Sequence, residues 1–388
     1  MRIAGFTSTG SKRPQALFGA DAELDRLPLR MVWSGGCRVR DEAGREYLDF
    51  IMALGAVALG YNDAAVNRAA IEAIQNGSVG PLAPVEEELL GAELQRVMPH
   101  LEQVRFFKTG AEAVAAAVRL ARTASQRDLV LGAGYHGWLD WCSREAGVPT
   151  MVQALYQPLP FNDCARAVEQ IRAAGDALAC VVIEPVIDAE PDPEWLRALR
   201  EESAAVGAFL VYDEIKTAFR VAAGGAAARW GGTPDLVVLG KALANGFPLA
   251  AVGGRADLMG QVSRTWISST LATEFVSLAA ARATLRVMAE RDLPRGLAVA
   301  GQALFRGLQQ LAAKFPAVLA GVRGIPEMCY LAWRNPAHGH HAAQLAAERG
   351  VLFKRDAYNF VSLAHQPADL ERALGVLDEV VGEMSRRC

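Results

Sequence analysis

From about residue 104 the chain alternates short, fully apolar runs with amphipathic helical segments. VRFF, DLVLG, CVVIEPV, AFLVYDEI, DLVVLG and LAAVGG are the runs; EAVAAAVRLARTA, DCARAVEQIRAAG and PEWLRALREESAAVG are the helices. Strands that are apolar at every position need cover on both faces, and helical connections supply it. The pattern therefore restricts the fold to α/β with a mostly parallel central sheet. Such sheets bind ligands beyond the carboxyl ends of their strands. Upstream, CRVRDEAGREYLDF alternates around a Glu-Ala-Gly turn and reads as a hairpin, while 62–75 and 86–98 carry helix-period apolar positions. After about residue 290 come the helix LAVAGQALFRGLQQLAAKF, a few strands and the helix PADLERALGVLDEVVGEM. The expected architecture is a large domain over 51–290 and a small α+β domain built from both termini, 1–50 and 291–388.

Composition excludes several function classes. Apolar residues make up 52% and charged residues 21%, which supplies a core and argues against disorder. Basic residues number 40 against 43 acidic ones, so there is no electrostatic footprint for nucleic acid. The longest apolar run, Phe50 to Gly60, falls short of the roughly 20 residues of a membrane span. The start, MRIAGFTSTGSKRP, lacks the apolar segment of a signal peptide, so a soluble cytoplasmic protein is expected. Cys37, Cys142, Cys164, Cys180, Cys329 and Cys388 are scattered, which predicts buried thiols rather than a disulfide framework. His338-Gly-His-His341 follows Asn335-Pro336 and is expected in a loop. No carboxylate or cysteine lies nearby to complete a coordination shell, so no metal site is expected.

Three features carry chemistry. Lysine occurs only at Lys12, Lys108, Lys216, Lys241, Lys314 and Lys354, and Lys241 is enclosed by apolar sequence on both sides. A desolvated lysine has a lowered pKa and a nucleophilic amine; a strand-end lysine reaching to solvent fits the same pattern. Asp213 and Glu214 end the strand FLVYDEI, where a carboxylate can pair with a ring nitrogen or simply cap the next segment. Thr109 followed by Glu112 is a capping box opening an apolar helix. The small Thr109-Gly110-Ala111 also lets backbone N–H groups approach a phosphate.

Together these parts describe pyridoxal phosphate (PLP): a phosphate cradle, an acid for the pyridine nitrogen and a lysine for the aldehyde. The chain resembles class III (ω-type) aminotransferases of PLP fold type I, nearest the glutamate-1-semialdehyde aminomutase branch. The resemblance runs through GCRVRDEAGREYLDF, FFKTGAEAVAAAVRLAR, GYHGW, VVIEP, VYDEIKTAFRV, PDLVVLGKALANGFPLAAVGG, SSTLATEFVSLAAA and FVSLAH.

The resemblance implies that Lys241 is the Schiff-base lysine and proton shuttle, and that Asp213 holds the pyridinium. It implies that Thr109, Gly110 and Ala111 bind phosphate, that Tyr135 stacks on the ring with His136 beside it, and that Ile215 covers the other face. Glu184 would lie toward the ring hydroxyl. Thr270 would reach the phosphate of a neighbouring subunit, which implies a homodimer with shared sites.

Two departures stand out. Relatives read Asn-Ser-Gly-Thr-Glu-Ala where this chain has Lys108-Thr-Gly-Ala-Glu-Ala, and Thr-x-x-Gly-Asn-Pro where it has Thr270-Leu-Ala-Thr-Glu-Phe. A third concerns substrate. In the aminomutase branch an N-terminal arginine grips the substrate carboxylate; here Ala16 stands at that place and Leu54 stands where many relatives carry tryptophan. Arg13 or Arg355 could supply a displaced clamp. The expected activity is amino transfer from an amino donor to a ketone or aldehyde of a specialised sugar, cyclitol or secondary-metabolite pathway. An aminomutase, a racemase or epimerase on the same fold, and a PLP-binding protein without turnover are the alternatives.

Overall fold

The six apolar runs all become strands, and a seventh joins them in one sheet. In the computed structural model, which describes residues 2–386, this sheet lies in the unit Ala64–Pro294. A second unit combines the chain up to Asp63 with the chain from Arg295 onward. The strands are β1 (Gln103–Phe107), β2 (Leu129–Ala133), β3 (Tyr156–Pro158), β4 (Leu178–Ile183), β5 (Phe209–Asp213), β6 (Leu236–Leu239) and β7 (Ala250–Gly254). Their spatial order is β1-β7-β6-β5-β4-β2-β3. Pairs from β6 across to β3 are parallel, and β7 alone runs the other way, antiparallel to both β6 and β1. The carboxyl ends of the other six strands therefore share one edge. Strand β3, with the sequence Tyr-Gln-Pro, has no apolar run; its proline is tolerated because β3 lies at the sheet margin.

The helices of this unit are α1 (Ala64–Gln75), α2 (Val85–Val97), α3 (Gly110–Ser125), α4 (Cys164–Ala174), α5 (Pro193–Ala205) and α6 (Phe275–Glu290), with shorter turns between. Helix α3 lays Ala113, Val114, Ala117, Val118 and Ala121 on Val130, Val182, Val211, Val238 and Val252 of the sheet. Alanines on the helix allow close approach to β-branched strand residues, and each buried valine contributes roughly 1.5–3 kcal/mol. Helix α6, whose FVSLAAA start was read only as part of a motif, packs on α1 and α2. No helix among the described residues is long and apolar enough to cross a membrane.

In the other unit the expected hairpin forms from Arg38–Asp41 and Glu46–Asp49, antiparallel. Asp41 closes its turn by accepting from the N–H groups of Ala43 (3.0 Å) and Arg45 (2.9 Å), with Gly44 at φ +81°. Met31–Gly35 and Val351–Leu352 flank this hairpin, and a second sheet joins Leu319–Ile325, Met328–Trp333 and Asn359–Phe360. The histidine cluster does not lie in a loop. It sits inside the helix Pro336–Glu348, because Asn335 caps the first turn (Oδ1 accepting from Ala337 N–H at 3.0 Å) and Pro336 occupies its first position. Cys37, Cys142, Cys164, Cys180 and Cys329 are free thiols; Cys388 lies outside the described residues.

Candidate active site

Five strand ends deliver the residues singled out by sequence. Strand β1 leads into Lys108–Ala111, β2 into Gly134–Gly137, β4 into Glu184, β5 into Asp213–Lys216, and β6 into Gly240–Lys241. Thr109, Gly110, Ala111, Tyr135, His136, Glu184, Asp213, Ile215 and Lys241 thus all emerge from the same edge of one sheet.

Asp213 and Glu214, adjacent in sequence, face different partners. Asp213 is buried, and its Oδ2 lies 2.8 Å from His136 Nδ1. The other ring nitrogen of His136, Nε2, is buried without a hydrogen-bond partner. Glu214 takes the capping role instead: it accepts from the Ala226 N–H at 2.7 Å and the Thr217 hydroxyl at 2.9 Å. Burial pushes its carboxyl up to about 7 against those hydrogen bonds. The alternation of faces along a strand explains the split.

Thr109 caps α3, as its sequence pattern predicts. Its hydroxyl accepts from the Glu112 N–H at 3.3 Å, and the Glu112 carboxylate accepts from the Thr109 N–H (2.9 Å) and hydroxyl (2.8 Å). The Thr109 hydroxyl is thereby engaged, while the Gly110 and Ala111 N–H groups at the helix start are left for an anion. Close packing holds this turn. A Cβ on Gly110 would fall 2.3 Å from Ile215 Cδ1, and one on Gly137 would fall 2.7 Å from Ala111 Cβ. Ile215 also lies beside Gly240, so a half-buried isoleucine separates the cradle from the lysine turn.

Lys241 sits at φ +46° in a single turn, Lys241–Ala244, that directly follows β6. Burial, then the positive charge of Lys216, bring its amine from 10.5 down to about 8. Glu184 is buried; its Oε1 accepts from the Tyr135 N–H at 2.6 Å and its Oε2 is ion-paired with Lys216. Tyr135 is 72% exposed.

The two sequence departures meet each other. Lys108 Nζ lies 2.7 Å from Glu274 Oε1, and Glu274 caps α6 through the N–H groups of Val276 (2.7 Å) and Ser277 (2.9 Å). The pair ties the cradle turn to the segment carrying Thr270, which is exposed. Lys216, Lys108, Glu274 and Gly137 are site residues that sequence reasoning did not assign. The available signal was scarcity: Lys108 and Lys216 are two of only six lysines.

Arg13, Leu54 and Arg355 belong to the other unit. Arg13 precedes the helix Pro14–Phe18 and is exposed. Leu54 lies in a run of four positive-φ residues, Met52, Ala53, Leu54 and Gly55, at φ +46°, +50°, +60° and +85°. Asp49 anchors their start by accepting from the Ile51 and Met52 N–H groups at 2.7 and 3.1 Å. Arg355 is ion-paired with Asp356.

A lysine whose pKa is lowered by burial, two helix-start N–H groups, a buried carboxylate and an unpartnered imidazole nitrogen form one donor set. It fits PLP: anion binding at one end, a partner for a ring nitrogen and an amine for an aldehyde.

Comparison with known proteins agrees. Residues 20–368 match the family model for aminotransferase class-III. A glutamate-1-semialdehyde 2,1-aminomutase from Pyrobaculum calidifontis is 31% identical, over 94% of this chain and 91% of the relative. A solved transaminase with PLP bound superposes with TM-score 0.86 at 25% identity, covering 92% of each chain. A β-phenylalanine aminotransferase from Variovorax paradoxus superposes with TM-score 0.88 at 26% identity, covering 99% of this chain and 92% of the other.

Proposed function

The chain belongs to the class-III aminotransferases, and from that premise we propose that this PLP-dependent enzyme moves an amino group from an amino donor to a weakly acidic ketone or aldehyde of a specialised pathway, such as a sugar, a cyclitol or a secondary metabolite. When bound, PLP supplies a carbonyl for amine exchange and an electron-withdrawing ring. In this reading Lys241 provides the exchangeable amine and, once free, carries a proton from and to the reacting carbon. Asp213, whose Oδ2 is fixed by His136, would accept a hydrogen bond from the ring nitrogen. The Gly110 and Ala111 N–H groups bind the phosphate at the start of α3. Ile215 and Tyr135 would bracket the ring, and Glu184, ion-paired with Lys216, would lie toward the ring hydroxyl. Thr270 serves the phosphate of a second copy in a homodimer, and the enzyme works in the cytoplasm.

The observation that carries the substrate reading is the place of the missing arginine. Ala16 lies on the short helix Pro14–Phe18, where it cannot form the paired hydrogen bonds that a carboxylate favours. Of the two substitutes, Arg355 is engaged by Asp356. A second reading, intramolecular aminomutase, draws on the relatives of about 30% identity that carry that name. The test is parallel assay of glutamate-1-semialdehyde and a panel of keto-sugars and cyclic ketones, with products read by mass spectrometry. Amination of a panel member at rates well above any conversion of the semialdehyde supports the proposal. Efficient formation of 5-aminolevulinate would replace it with the mutase reading.

A further inference from the structure

Two lysines leave the same edge of the sheet on neighbouring strands. Lys216 follows Asp213 by three residues at the end of β5, and Lys241 follows β6. The acids near them are already engaged, Asp213 by His136 at 2.8 Å and Glu184 by Lys216. Among the described residues no carboxylate closes an ion pair on Lys241. Glu184 is also held from behind. Its Oε1 accepts the Tyr135 N–H, and Gly134, at φ +111°, packs so closely that a Cβ there would fall 2.6 Å from Glu184 Cγ. The side chains of Lys216 and Glu184 are only 15% and 6% exposed, so water screens their charges little.

We propose that Lys216 is a positioning residue for the amine chemistry of this site: its ion pair occupies Glu184, and its own positive charge, at the end of the strand next to that of Lys241, opposes a second positive charge on Lys241 Nζ. The inference rests on Lys241 being the lysine that captures the carbonyl. Among the charges acting on Lys241, Lys216 and Arg220 oppose its protonation, while Glu184 and Asp213 favour it. Lys216 acts most strongly among these charges, second only to burial. Its removal takes away one repulsion and frees one attraction, and both changes strengthen proton binding at Lys241. A rise of one pH unit in the midpoint makes the neutral amine about tenfold scarcer at neutral pH.

Competitive labelling tests this in cofactor-free protein. Lys241 is acetylated with limiting acetic anhydride across a pH series, and its modification is read by peptide mass spectrometry against exposed Lys12. Lys216→Met should raise the labelling midpoint by about one pH unit or more, whereas Lys216→Arg, which keeps the charge, should leave it near the native value. In Lys216→Met/Glu184→Gln the midpoint should fall back toward native, and in Glu184→Gln alone it should drop below native. An unchanged midpoint in folded Lys216→Met overturns the proposal, as does an equal rise in Lys216→Arg. If Lys216→Met fails to fold, Glu184→Gln decides, and a midpoint that does not fall refutes the role. Borohydride reduction of PLP-loaded native protein, followed by peptide mapping, separately checks Lys241. Cofactor found on another lysine would defeat the reading of Lys241 without altering the labelling result.

Discussion

Replacing Lys241 with methionine should stabilise the cofactor-free protein at neutral pH. An unfolded lysine titrates near 10.5, and the folded amine near 8. Below 8 both states hold the proton, and the folded state bears the whole cost of a charged amine beside Lys216 and Arg220. Between 8 and 10.5 the unfolded chain binds more protons than the folded one, so native stability rises with pH. Above 10.5 the difference is exhausted. At roughly 1.4 kcal/mol per pH unit the full effect is on the order of 3 kcal/mol. Residual solvent contact at Lys241 reduces it to roughly 2–3 kcal/mol. Methionine matches the length of the lysine stem and keeps the same φ of +46° penalty, so backbone strain cancels in the comparison. Paired denaturant titrations of native and variant apoprotein across that pH window measure the gap. It should be widest at neutral pH and close as pH climbs toward 10.5. Parallel curves with a constant gap would show that Lys241 keeps an ordinary amine, and the argument from burial and Lys216 would fall.

Gly137→Ala places a Cβ 2.7 Å from Ala111 Cβ and 3.1 Å from Ala111 Cα at a backbone φ of +105°. With strain of about 1–3 kcal/mol, PLP affinity should drop about tenfold or more in equilibrium dialysis, and native affinity would refute the close-approach argument. Thr270→Ala should weaken PLP binding by the value of a charge-assisted hydrogen bond, about 1.5–3 kcal/mol. In sedimentation at falling protein concentration, PLP loss should accompany dissociation; a monomer with undiminished PLP affinity would disprove a shared site.

The large sheet was readable because its strands are apolar at every position, and strand ends are where α/β proteins place chemistry. Lys241 and the Asp213-Glu214 pair could be found on that ground. Local pattern did not separate the two acids, because either carboxylate serves as a cap; the family resemblance singled out Asp213, and in the structure Asp213 contacts His136 while Glu214 caps the Ala226 turn. The His338–His341 segment was misread although the signal was present: Asn335-Pro336 is a cap followed by a first-turn proline, and it outweighed the helix-poor look of glycine and histidine. Strand β3 was invisible, since three residues ending in proline carry no periodicity. The Glu184–Lys216 and Lys108–Glu274 pairs join residues far apart in the chain, and no local pattern announces them.

The reversed strand β7 bears on how the protein acquires its cofactor during folding. The Lys241 turn forms locally, between β6 and the antiparallel β7 that follows it, with Leu239 beside Ala251. The proposed phosphate cradle, Thr109–Ala111, hangs from β1, which reaches the sheet only by pairing Phe107 with Ala250 and Gln103 with Gly254. The first strand of the sheet to leave the ribosome must therefore wait for the last. Closure of so long a loop is slow and entropically costly. A nascent chain that has made β2 through β6 can hold neither cradle nor lysine in place, so PLP capture marks the end of sheet assembly rather than a step that nucleates it.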